Sequence, residues 1–123
     1  IGSPSEIYLG RKQDWLDSQF VERADDTWQT HQWAQGENRI PKPPSYYYKK
    51  HVYSCFFKDT VGIELLHKIG EDNVLFETDY PHQDGTFPKT LSIAEELFGH
   101  LEQETINKIA RGNAIKLFDL DFA

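Results

Sequence analysis

"NVLFETDYPHQDGTFP", residues 73–88, is the stretch of sequence that decides the fold. A short run of apolar residues typical of a buried strand leads to Glu77 and Asp79, where a Tyr-Pro pair stops the strand. The loop that follows carries His82 and Asp84. Three carboxylates and a histidine therefore cluster where a predicted strand ends, and this clustering marks a candidate site.

The parity of this strand decides where its carboxylates point. Side chains alternate along a strand, so Glu77 and Asp79 share a face with Leu75. Two carboxylates on one partly buried face repel each other unless a cation or a proton lies between them. The pattern predicts a metal ion, a basic partner or a shared proton. It leaves open that Asp79 only caps a turn, that Glu77 has a salt-bridge partner, and that His82 lies exposed in a turn-forming loop.

The segments around this stretch predict an α/β fold. Residues 52–57 are β-branched and aromatic and predict a strand, and residues 61–69 predict a helix that Asp59 or Thr60 caps. After Gly70, residues 74–79 predict a second strand. Two strands joined by a helix pair in parallel through a right-handed crossover, so these two strands should be neighbours.

The segments before the first predicted strand are expected to be helical or irregular. Residues 1–12 are polar and predict irregular structure, and residues 14–35 predict a helix. The apolar residues of this helix recur at four-residue steps and share one face: Leu16, Phe20, Ala24 and Trp28. Residues 36–45 contain three prolines and predict an extended connector, which tyrosines 46–48 are expected to pack.

Two more helices are predicted after the loop. One runs from about residue 88 to 98, and the other covers about 102–111. We expect Gly112 to break the second helix and Asn113 to cap a last short turn.

Composition bounds the class of protein and its partners. The chain has 123 residues, enough for one domain with a core, and a net charge of −7. The acidic balance argues against nucleic acid or an anionic membrane as a partner, and no apolar run reaches the length of a membrane span. The single cysteine, Cys55, excludes an internal disulfide and is expected to be a buried thiol. The expected location is cytoplasmic.

Two longer stretches resemble a known family. They are "PSYYYKKHVYSCFFKDTVGIELLHKIGEDNVLFETDYPHQDGTFP", residues 44–88, and "INKIARGNAIKLFDLD", residues 106–121. Together they closely resemble the C-terminal end of metal-dependent hydrolases of the amidohydrolase superfamily, in the branch that includes aminocarboxymuconate-semialdehyde decarboxylase. The resemblance implies the C-terminal portion of a (β/α)8 TIM barrel. Residues 1–43 would be a helical insertion and linker, and 44–123 the last two βα units and C-terminal helices of the same domain.

The resemblance also implies roles for two residues. Asp79 matches the aspartate that ends the eighth barrel strand and binds a divalent metal, usually zinc, or acts as a base. His82 matches a loop histidine near the substrate mouth. The sequence lacks the family's His-x-His pair, and a catalytic zinc usually needs about three protein ligands. We therefore expect this chain alone to be inactive and to bind no metal.

The complete protein is expected to be a metal-dependent hydrolase or a decarboxylase, which is a lyase. Its substrate would be a small carboxylated or aromatic molecule. Its other expected partners are the missing N-terminal portion of the barrel and further copies of itself. The alternative is a non-catalytic packing or interaction module derived from a decayed or split barrel.

Overall fold

A computed structural model of the chain describes residues 7–9, 14–34 and 36–121. Strands and α-helices alternate along these ranges in an order typical of α/β proteins. The strands are β1 (Ile7–Leu9), β2 (Val52–Phe56) and β3 (Val74–Phe76). The helices are α1 (Asp14–Thr30), α2 (Pro44–His51), α3 (Thr60–Glu64), α4 (Leu66–Ile69), α5 (Thr90–Phe98), α6 (Gln103–Asn107) and α7 (Asn113–Phe118).

The three described strands form one parallel sheet in the order β1-β2-β3. Ser54 lies opposite Val74 in the register of β2 and β3, and helices α3 and α4 make the connection between these strands. The predicted parallel pair is confirmed. The prediction that residues 1–12 are irregular is wrong at β1, because three residues are too few to show an alternating pattern and their pairing with β2 is a long-range contact.

The crossover between β2 and β3 begins and ends as its sequence predicts. The Asp59 side chain accepts a hydrogen bond from the Gly62 N–H at 3.1 Å, which caps α3. Gly70 follows α4 with φ +107°, a backbone conformation that side chains with a Cβ rarely adopt. The helix therefore stops at Gly70, and the chain re-enters the sheet at Val74.

The sheet is covered on both faces. On the helical side, the rings of Phe56, Phe76 and Phe98 contact one another with centroids 5.3–6.0 Å apart, and Ile69 and Val74 are buried beside them. The other face carries a smaller buried cluster: Tyr53, Cys55, Leu75 and Leu117, with Ala114 packed against it. The expected buried thiol is confirmed.

Two predictions about the first half of the chain need correction. Helix α2 covers residues 44–51, so the extended connector predicted for residues 36–45 is wrong at its last two residues, and the tyrosines expected to pack it lie in this helix. Pro44 is the first helical residue, a position at which proline's missing N–H costs nothing. Phe20, Ala24 and Trp28 do share a face of α1, but Phe20 is 69% exposed and the core contact is made by Val21 instead. The side chain of Leu16 lies outside the described residues.

The C-terminal helices run on without the predicted break. A π-helical segment, Lys108–Gly112, joins α6 directly to α7. Asn113 does not cap α7 with its side chain; it is buried, and its Nδ2 donates to the carbonyls of Glu71 at 2.7 Å and Val74 at 2.8 Å. The amide thus ties α7 to the start of β3.

A charged cluster reinforces this connection. Lys108 Nζ lies 2.5 Å from Glu71 Oε1 and 3.1 Å from Asp72 Oδ1, and Thr105 Oγ1 donates to Glu71 Oε2 at 2.7 Å. The hydrogen bond from Lys108 lowers the pKa of Glu71, with Thr105 adding to the effect. The hydrogen bond to Glu71, followed by that to Asp72, raises the pKa of Lys108. Both groups are therefore held in their charged forms at neutral pH.

None of the helices in the described ranges combines the length and the apolar character that crossing a membrane requires.

Candidate functional site at the carboxyl end of β3

Asp79 lies just beyond the carboxyl end of β3. The Glu77 N–H donates to the Phe56 carbonyl at 2.9 Å, which extends the pairing with β2 by one bond past the strand. Asp79 then adopts φ +55°, a left-handed conformation that Asp and Asn tolerate better than most residues. The chain leaves the sheet at this residue, and Asp79 is half-buried there. In parallel sheets, ligands bind at this end of the strands.

The loop after Asp79 is held by three backbone hydrogen bonds. The Asp79 carbonyl accepts from His82 N–H at 2.8 Å, and the His82 carbonyl accepts from Gly85 N–H at 3.0 Å. The Thr78 carbonyl then accepts from Thr86 N–H at 2.9 Å and closes the loop onto the end of the strand. Residues 78–86, the Asp79 loop, therefore have a defined shape.

Gly85 shows how closely this loop is packed. A Cβ atom at this position would lie 3.0 Å from the carbonyl oxygens of Thr78, Asp79 and His82. All three neighbours are backbone atoms that are already hydrogen bonded, so they cannot move away independently. The loop backbone can come this close together only because residue 85 has no side chain.

The loop after β2 contacts the Asp79 loop at the same edge of the sheet. Lys58, two residues past β2, donates from Nζ to the Asp84 carbonyl at 2.7 Å. On the Asp79 loop and just after it, the rings of Tyr80 and Phe87 form an edge-to-face pair with centroids 5.2 Å apart, and both residues are two-thirds exposed. The carboxyl edge of the sheet thus presents a carboxylate, an ammonium group and an aromatic pair.

The predicted parity of the strand is confirmed for the residues within it. Val74 and Phe76 pack on the helical side, and Leu75 packs in the opposite cluster. Glu77 follows on the Leu75 side by alternation; it is half-buried, and its Oε1 atom is fully buried. Its role beside Asp79 stays a prediction.

The structure brings Asp79 and His82 into one hydrogen-bonded turn, but the His82 side chain is exposed. Within residues 7–9, 14–34 and 36–121, His, Cys, Asp and Glu side chains nowhere gather in groups of three or more that could hold a metal ion. Asp79 can supply one metal ligand, and the described residues do not complete the set of about three protein ligands that a catalytic zinc needs. The metal roles of Asp79 and His82 therefore stay predictions.

Sequence reasoning missed two residues that shape this site. Thr86 is buried and closes the Asp79 loop, and Lys58 links the loop to its neighbour. Thr86 lies in the stretch quoted at the outset, but sequence reasoning assigned it no role, and the contacts of Thr86 and Lys58 join positions 8 and 26 residues apart. The Asp-Gly pair at 84–85 could have indicated a tight turn, but not the residue that fastens it.

The profile of one sequence family matches residues 9–120, which is nearly the whole chain. This chain belongs to the amidohydrolase family. No curated protein matches it significantly.

Solved structures share the fold of this chain. 5-Carboxyvanillate decarboxylase from Sphingomonas paucimobilis matches with a TM-score of 0.74 at 17% identity, covering 94% of this chain and 34% of that protein. An amidohydrolase from Mycobacterium avium subsp. paratuberculosis K-10 matches with a TM-score of 0.66 at 27% identity, covering 87% of this chain and 26% of that one. Dihydroxybenzoic acid decarboxylase from Polaromonas sp. JS666, solved with manganese and the inhibitor 2-nitroresorcinol, matches with a TM-score of 0.63 at 24% identity, covering 96% and 35%.

The chain thus spans about a third of the length of the structures it matches. It has the α/β fold of that share of a TIM-barrel amidohydrolase, and the predicted fold class is confirmed. The division at residue 43, the choice of zinc, the homo-oligomer and the cytoplasmic location stay predictions.

Proposed function

We propose that this chain forms the C-terminal third of a barrel enzyme that decarboxylates a small aromatic acid, with Asp79 at its active site. The observation that carries the proposal is the position of Asp79, at the carboxyl end of a parallel strand, half-buried and held by a closed loop. Two of the matching structures are decarboxylases of aromatic acids, and this supports the choice of substrate class. Hydrolysis of a small carboxylated substrate is the related alternative.

Asp79 suits a role in proton transfer. When an aromatic acid loses CO2, the bonding electron pair stays on the ring carbon, and a proton must be delivered there. A carboxylate held at a fixed place in a partly dry site can take up and return such a proton. In a divalent-metal enzyme Asp79 could instead serve as one ligand, with the other ligands supplied from outside the described residues.

One observation favours a non-catalytic module as the second candidate. Leu117 and Ala114 of α7 pack against Tyr53, Cys55 and Leu75, so the sheet face that would look into a barrel is covered by residues of this chain. A piece that covers both faces of its own sheet could serve as a packing or interaction unit.

The proposal is tested by exchanging two carboxylates of the same loop in the complete gene product. Asp79→Asn removes charge and basicity, and Asn also tolerates the left-handed conformation, so the melting temperature should change little. We expect decarboxylation to fall on the order of 100-fold or more. Asp84→Asn is the matched control: Asp84 is exposed, its carbonyl still binds Lys58, and activity should stay about the same.

The assay measures CO2 release from a panel of hydroxybenzoates, alongside hydrolysis of small amides and lactones and with metal content determined for each variant. Full activity in Asp79→Asn would mean that this carboxylate only shapes a turn. Failure of the unmodified protein to turn over any of these compounds would favour the packing module. Turnover of the amides or lactones alone would replace decarboxylation by hydrolysis.

A further inference from the structure

The Asp79 loop is fastened by one buried side chain, that of Thr86. Thr86 is only 1% exposed, although it lies in a loop whose other residues are mostly exposed. Its N–H donates to the Thr78 carbonyl at 2.9 Å, and its hydroxyl donates to the same oxygen at 3.2 Å. The two bonds occupy both lone pairs of that carbonyl.

A second threonine orients the Thr86 hydroxyl. The oxygens of Thr86 and Thr90 lie 2.9 Å apart, and Thr90 is the first residue of helix α5. A hydroxyl has one proton, and that of Thr86 is used on Thr78, so Thr90 must be the donor of this bond. The chain of hydrogen bonds therefore runs from the start of a packed helix to the end of β3.

The Thr78 carbonyl matters because it shares a peptide plane with the nitrogen of Asp79. A peptide unit is planar, so fixing the direction of the Thr78 carbonyl also fixes the orientation of the N–H and Cα of Asp79. Asp79 then holds φ +55°, a conformation that needs support from its surroundings in a residue other than glycine. The direction of its side chain thus depends on where the Thr78 carbonyl points.

We propose that Thr86 is a positioning residue for Asp79, acting through its hydroxyl on the Thr78 carbonyl. The inference rests on the proposed function, because it concerns the group to which that function assigns the proton transfer. Thr86 does not touch the reacting atoms in this scheme. It holds the carboxylate where the reaction needs it.

The test compares two substitutions of Thr86 in the complete gene product. Thr86→Val keeps the shape and the N–H bond but loses the hydroxyl, and Thr86→Ser keeps the hydroxyl. We expect kcat for decarboxylation to fall about 10-fold in Thr86→Val, as for groups that orient an active-site residue. KM should stay within about twofold, and Thr86→Ser should stay within about threefold of the unmodified kcat.

Thr105→Val serves as the matched control. Its hydroxyl also bonds a distant residue, Glu71, but at the opposite end of β3. This variant should lose stability and keep its kcat. An equal fall of kcat in Thr86→Val and Thr105→Val, or in Thr86→Val and Thr86→Ser, would overturn the positioning role, as would an unchanged kcat in Thr86→Val.

Amide hydrogen exchange provides a readout that does not depend on activity. The N–H groups of His82 and Gly85 are protected by the loop's own hydrogen bonds, so exchange across residues 78–86 should become faster in Thr86→Val but not in Thr105→Val. Unchanged exchange would count against the proposal. If Asp79→Asn keeps full activity while exchange responds as expected, the proposed function fails and the fastening of the loop stands.

Gly85→Ala keeps the inference testable should Thr86→Val fail to fold. The new Cβ would press on the carbonyls of Thr78, Asp79 and His82 and shift the same peptide planes from inside the loop. A 10-fold or greater fall of kcat with KM unchanged is expected. A fully active Gly85→Ala protein would show that displacement of these planes has no effect on the reaction.

Discussion

Asn113→Asp is the substitution from which we expect the clearest loss of stability. The Asn113 side chain is 4% exposed, and its amide nitrogen donates to the carbonyls of Glu71 and Val74. Replacing the amide by a carboxylate keeps the size of the side chain but removes both donors. Two carbonyl oxygens would then face a negatively charged group, one of them in a buried position and the other in a partly buried one.

The magnitude follows from the two bonds that are lost. A buried polar group left without its hydrogen bond costs about 1–3 kcal/mol, and a partly exposed one about 1 kcal/mol. The Val74 bond is buried and the Glu71 bond is partly buried, so the free energy of unfolding should fall by about 3 kcal/mol before any charge repulsion is counted. This is a large share of the ~5–15 kcal/mol that stabilises a typical protein.

Asn107→Asp is the matched control on the same helical run. Asn107 is exposed, and its Oδ1 accepts from Gln103 Nε2, which a carboxylate can also do. Its effect should stay within about 0.5 kcal/mol. Urea unfolding of both variants measures the difference, and hydrogen exchange should show faster opening of residues 113–118 in Asn113→Asp alone. Coinciding unfolding midpoints would refute the assignment of these two hydrogen bonds as a stabilising connection.

Three further predictions concern the fold and the metal. Lys108→Gln should lower stability at neutral pH. Because the pKa of Glu71 is lowered in the folded state, the ionised carboxylate contributes its full stabilisation above the ordinary pKa of 4.5, and this contribution is lost as the pH falls through the lowered pKa. Urea unfolding measured at several pH values should show a smaller loss of stability at acid pH in the variant than in the unmodified chain. Leu97→Ala should lower the free energy of unfolding by about 2–5 kcal/mol, because Leu97 is buried. Leu91 on the same helix is 83% exposed, so Leu91→Ala should lower it by less than about 0.5 kcal/mol, as measured by chemical unfolding of this chain. Calorimetric titration of residues 1–123 with zinc should show no tight binding, and stoichiometric binding that disappears in Asp79→Asn would contradict this.

The central crossover was predictable from sequence because its signals are local. Asp59 stands three residues before the amide that it caps, and Gly70 stands where the helix must stop. Apolar runs on either side of the helix specify buried strands, and because such connections are right-handed, the two strands can pair in parallel in one way. The position of Asp79 at the strand end follows from these signals without any distant contact.

Two of the errors, at Asn113 and at β1, share a physical cause, since each involves a contact with a residue far along the chain. Asn113 resembles a helix cap in its local sequence, but its partners are 39 and 42 residues away. Strand β1 exists because it pairs with β2, and its three residues carry no pattern of their own. The error at helix α2 has another cause: Pro44 at its start is a local signal for a helix, but the prediction counted it among the three prolines of an extended connector.

The bonds from Asn113 to Glu71 and Val74 have a consequence for synthesis of the protein. Chains grow from the N-terminus at ~5–20 residues per second, and a contact can form only after both of its partners have been made. Strand β3, which leads to Asp79, is therefore translated several seconds before Asn113, the residue that binds the carbonyls at its start. During this interval the carbonyls of Glu71 and Val74 must find water or other donors, which makes this strand a place where a nascent chain is open to chaperones or to wrong pairing.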